Sequence, residues 1–167
     1  MDEEIIKFFL VAVGVILGAI VTYVRDNKKG NLDRRREVLR DIILHAETIS
    51  TYFEYEAEDT QSYYEAQHGG HAFAPSISEA EMEVLKKEFP TAEREMRKNI
   101  IMARIIVGEE EAKPLVERAK AMRGDYWELV NIDDPTDAHS QCKIIAEQAN
   151  HIIEESLKLS RRGFFRQ

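Results

Sequence analysis

Glu65 and His68 stand three residues apart, a spacing that puts a carboxylate and an imidazole on one helix face, as in bundles that hold a metal pair. Such a centre needs a second Glu-x-x-His and further inward glutamates. The chain offers Glu147-x-x-x-His151, one residue too long, and the pair His68-x-x-His71 beside Gly69 and Gly70. Imidazoles suit zinc or nickel, but two ligands are too few to hold either. Glu65, His68, His71 and His151 are thus the positions where a metal would be sought, and exposed polar side chains account for them as well. His45 and His139 have no acid, cysteine or serine at a diagnostic distance.

No nucleophile elbow, phosphate-binding glycine loop or zinc-protease pattern occurs, so neither catalysis nor a cofactor is expected. Cys142 stands alone, which excludes an intramolecular disulfide and fits a small apolar residue on a helix. The acidic, tyrosine-rich run from Tyr52 to Asp59 is the most unusual composition. Tyr52, Tyr55 and Glu56 could form a face for a protein partner, because tyrosine gives large contact area at low entropic cost. The same run also reads as a helix that is half core and half solvated.

The elements that carry these residues are helical by composition. Glycine and proline are sparse, and long stretches are built from Ala, Glu, Lys, Arg, Leu, Met and Ile, which lose least on entering a helix. A hydrophobic fraction of 44 % with 32 % charged residues suits a folded all-α protein. The formal net charge of −8 argues against a nucleic-acid partner, since phosphate binding needs a concentrated basic surface.

The run from Ile5 to Val24, IIKFFLVAVGVILGAIVTYV, reads as a single transmembrane helix, because about 20 apolar residues cross a hydrocarbon core. A cleaved signal peptide should start basic, whereas this chain starts Met1-Asp2-Glu3-Glu4. Cations beyond the run outnumber those before it, which predicts the N-terminus outside and the C-terminal domain cytoplasmic, in a plasma or bacterial inner membrane. Gly14 and Gly18 form G-x-x-x-G, a small-residue stripe through which two such helices could associate. Arg25, Lys28, Lys29, Arg34, Arg35 and Arg36 could also meet anionic lipid, and the tail residues Arg161, Arg162, Phe164 and Phe165 have the composition of an interfacial contact.

After the anchor, residues 1–26, the remaining 27–167 read as one domain. Asn27–Asn31 interrupts the pattern briefly. Leu32, Leu39, Ala46 and Phe53 then recur every seven residues, with Ile42 and Ile49 between them, giving an amphipathic helix with a coiled-coil-like seam to about Gln67. Residues 68–75 punctuate as a loop. Ser76 and Ser78 each precede a glutamate by three residues, a capping box for the second helix. Its seam is Met82, Leu85, Phe89, Ala92, Met96, Ile100, Ala103 and Ile106, with a kink or split predicted near Pro90. Gly108 closes it.

Glu109–Glu111 suit a third helix start, where Leu115, Val116, Ala119, Met122, Tyr126, Trp127 and Val130 form the seam. Pro114 is tolerable only in a first turn, and Gly124 is a weak point. Asp134-Pro135 opens a fourth helix with Ala138, Cys142, Ile145, Ala149, Ile152, Ser156 and Leu159 inward. Four amphipathic helices with short connections predict an up-and-down bundle. The functional expectation is a membrane-anchored bundle, a homo-oligomer, working through contacts with an unidentified protein partner as scaffold, adaptor or sensor subunit. The alternative is a membrane-perturbing effector whose anchor helices gather, and a metal-binding bundle ranks third.

Overall fold

The computed structural model describes the backbone of residues 3–69 and 72–165 and the side chains of residues 17–69 and 72–161. Among the described residues the elements are all helical: α1 (Glu3–Gly69), α2 (Glu79–Val107), α3 (Glu109–Leu129) and α4 (Pro135–Phe165). Packing divides the chain into two units, Met1–Arg34 and Arg35–Gln167.

Within 1–34, α1 stays helical through Asn27–Asn31, because a single glycine costs only about 1 kcal/mol in a helix interior. Among the described residues no helix is long and apolar enough to cross a membrane. This corrects the expected transmembrane helix and, with it, the single-pass localisation. The described side chains of α1 begin at Leu17. The earlier part of the apolar run, Gly14 included, lies outside the residues whose side chains are described.

Within 35–167 the helices run up and down. Arg35 meets Leu159, Ser50 meets Ala146 and His139 meets Ala57, so α1 and α4 are antiparallel and keep register at one rise per residue. Phe89 of α2 packs against Tyr52 of α1 and Tyr126 of α3. Asp125 meets Gln141 across α3 and α4. The buried stripe of each helix faces one shared core: Leu39, Ile42, Ile49 and Phe53 from α1, Met96 and Ile100 from α2, Leu115 and Met122 from α3, and Ile145 and Ile152 from α4. Burying a Leu, Ile, Phe or Met contributes about 1.5–3 kcal/mol each, and this drives the four stripes together.

The caps hold as physical chemistry requires. The Ser78 hydroxyl accepts the Glu81 backbone N–H while the Glu81 carboxylate accepts the Ser78 N–H, a complete capping box. Hydrogen bonds from Ser78 lower the Glu81 carboxyl below its ordinary value. Ser76 does not share that cap: its N–H and hydroxyl both donate to Asp59, tying the loop back to α1. Asp134 accepts the N–H groups of Thr136 and Asp137 at the start of α4.

Neither Pro90 nor Pro114 splits its helix. Each removes one donor, but the core stripe continues on both sides, and tertiary burial outweighs a local penalty of about 3 kcal/mol. Gly124 likewise sits inside continuous helix.

Gly108 is the whole connection between α2 and α3, and it adopts φ 111°, ψ 151°, a region nearly closed to residues bearing a Cβ. No atom lies within 4 Å of where a Cβ would stand, so the constraint is purely conformational. Gly108→Ala is expected to cost about 1–3 kcal/mol, read as a lower urea midpoint with an unchanged slope; an unchanged midpoint would show that the joint relaxes.

Candidate functional site

Among the described residues, those that sequence chemistry singles out do not converge. At the end of α1 the Glu65 carboxylate accepts a hydrogen bond from Gln61 Nε2 at 2.8 Å, and His68 Nδ1 faces the Tyr64 carbonyl at 3.0 Å while its ring stacks on Tyr64. His151 lies exposed on α4, with Nδ1 at 2.8 Å from the Glu147 carbonyl. His71 lies outside the described residues. Among the described residues no group of three or more His, Cys, Asp or Glu side chains is placed to hold a metal ion. His139 serves α1–α4 packing, its Nδ1 at 2.7 Å from the Ala57 carbonyl.

The tyrosine-rich run is divided between core and solvent, with Phe53 and Ala57 buried, Glu54 and Glu58 exposed, and Tyr52 and Glu56 between them. The Tyr52 hydroxyl donates to Glu56 at 2.9 Å, and its ring stacks on Phe89 with centroids 5.1 Å apart. Glu56 also faces Lys86 of α2 at 3.9 Å. Tyr55 is half-buried. Burial first, and then the Glu56 charge and hydrogen bond, raise the Tyr52 phenol above its ordinary value. Burial, followed by the Glu56 charge, pushes the Cys142 thiol up to about 12.

Of the basic residues expected at a lipid surface, Arg25, Lys28, Lys29, Arg34, Arg36 and Arg161 are exposed. Arg35 is not: its side chain is only 17 % exposed, donates to the Leu159 carbonyl at 2.9 Å and pairs with Glu111 at 3.5 Å. Its Nε is buried without a hydrogen-bond partner. Arg35 thus joins three helices at one end of the bundle. Gly18 has nothing within 4 Å of a notional Cβ. The side chains of Arg162, Phe164 and Phe165 lie outside the described residues.

Two features escape sequence reasoning. The first is a cleft of about 230 Å³ reaching the core between α2 and α3, with Phe53, Phe89, Met122 and Tyr126 in its walls and Trp127 and Arg123 at its mouth. The Phe53, Phe89 and Tyr126 rings form a connected set, with Phe53 and Phe89 edge to face at 5.3 Å and Phe89 and Tyr126 at 5.5 Å. Beside it, Glu93 and Arg97 close on each other at 2.7 Å. Asp125, one residue from Tyr126, has Oδ2 buried without a hydrogen-bond partner; burial first, and then Glu128, raises its carboxyl above the ordinary range.

The second feature is on the outer side of α2. Ile101 and Ile105 are 56 % and 74 % exposed, and lie one turn apart on the same face. Comparison with family models, with curated proteins and with solved structures finds no match to this chain.

Proposed function

We propose that the bundle works through protein contacts, as a scaffold, adaptor or sensor subunit, and that its first partner is a second copy of itself. The observation that carries this reading is the exposed pair Ile101 and Ile105 on α2. Isoleucines at i and i+4 are the anchors by which a helix enters an apolar groove, and burying what each leaves exposed contributes part of the roughly 1.5–3 kcal/mol of a fully buried isoleucine.

The formal net charge of −8 opposes association of like copies. Salt screens that repulsion, so the reading carries a sign: association strengthens from low to moderate ionic strength. Light scattering coupled to size exclusion, run over a range of protein concentrations, is expected to show a concentration-dependent rise in mass. The double variant Ile101→Glu, Ile105→Glu should remain monomeric. A wild-type mass equal to one chain at every concentration and salt would overturn the self-association.

A further inference from the structure

We propose that the cleft between α2 and α3 is a binding site for a small aryl carboxylate, its rings held in the apolar slot and its carboxylate met by Arg123 at the mouth. The site goes beyond the contact-module reading and does not depend on it.

Size comes first. The cleft holds about 230 Å³, half as large again as the ~150 Å³ apolar cavity that takes up benzene, so it suits a bicyclic aromatic body. Wall chemistry points the same way. Phe53 and Phe89 meet edge-on at 87° and Phe89 and Tyr126 tilted at 48°, and a flat guest extends such a cluster through further edge-to-face contacts. Met122 adds a soft, adaptable wall.

Charge then fixes the polar end of the guest. Three ionised side chains border the cleft: Glu93, Arg97 and Arg123. Glu93 and Arg97 neutralise each other at 2.7 Å. Arg123 makes no hydrogen bond or ion pair with another described residue. One uncompensated guanidinium at the rim of an aromatic slot favours a carboxylate, which it can grip with two parallel N–H donors. A neutral ring would leave that donor set unused, and a cation would be repelled.

The chain provides its own reporter, because its single tryptophan, Trp127, stands at the mouth and is 56 % exposed. Titration of the full chain with 2-naphthoate, followed by calorimetry and by Trp127 fluorescence, should give saturable binding of one equivalent. Arg123→Gln should weaken it about 10-fold, the scale of one charge-assisted contact near solvent, and 2-naphthamide should bind about as weakly to wild type. Arg123 is an exposed residue, so its variant is expected to keep the wild-type helical circular dichroism and melting profile. Met122→Trp, which fills the slot, should abolish binding; a variant that binds as wild type would remove the slot from the site. Absence of saturable binding up to millimolar 2-naphthoate, equal affinity for the amide, or tighter binding of octanoate would overturn the proposal.

Discussion

Phe53→Ala should lower the free energy of unfolding by about 3–5 kcal/mol, the range for emptying a buried aromatic site. Phe53 is 1 % exposed and sits where three helices meet. Its ring lies 5.0 Å from Tyr52, 5.3 Å from Phe89 and 6.2 Å from Tyr126. The truncation therefore removes transfer free energy, edge-to-face contacts worth about 0.5–1.5 kcal/mol each, and the wall between cleft and core. Against a total stability of about 5–15 kcal/mol, one such change is a large fraction. Urea unfolding followed by circular dichroism reads it directly, with Phe53→Leu as the milder comparison. A loss below about 1 kcal/mol would show that the ring is not a core residue.

The second large effect is alkaline. Both Cys142 and Tyr52 are acids whose neutral forms the fold favours, the thiol pushed from 9.0 to about 12 and the phenol raised above its ordinary 10.0. The unfolded chain releases these protons first as pH rises, so above pH 9 the native state binds more protons than the unfolded one. Stability conferred by the neutral groups is intact below the unfolded values and is lost as pH climbs through the folded ones. Each group contributes a fall of up to about 1.4 kcal/mol per pH unit within its window. Urea midpoints collected from pH 8 to 11 should decline steeply in wild type. Cys142→Ala should make the decline shallower from pH 9 upward, and Tyr52→Phe from pH 10 upward. A decline with the same slope in both variants would place these groups outside the low-dielectric core.

How far these features are legible in sequence depends on how many helices make them. Of the predicted α4 stripe, Cys142, Ile145, Ala149, Ile152, Ser156 and Leu159 are buried and Ala138 is half-buried, because one helix period decides which side faces in. Trp127 and Val130 are failures of the same rule. Tyr126 and Trp127 are adjacent, neighbours on a helix diverge by about 100°, and the core accepts Tyr126 while Trp127 is turned to solvent. Arg35 was hidden by its company, a run of cations read as one surface. Yet it stands four and seven residues before Leu39 and Ile42, on their stripe, and that register was the available signal.

The unbroken helix at Pro90 was not legible, since local propensity carries no account of the burial that overrides it. The Ile5–Val24 run teaches the converse lesson. Apolar composition predicts a transmembrane helix, and among the described residues no helix is long and apolar enough to cross a membrane. The cleft could not be read at all, because its lining is drawn from α1, α2, α3 and α4 together.

Arg35 and Leu159 hold the first turn of α1's packed segment against the last described turns of α4. Both chain connections of the bundle therefore emerge at one pole, between two antiparallel neighbours. A pull applied through those connections would not shear the helices past each other along their length. It would peel α1 from α4 one turn at a time, with the Arg35 contact the first to open.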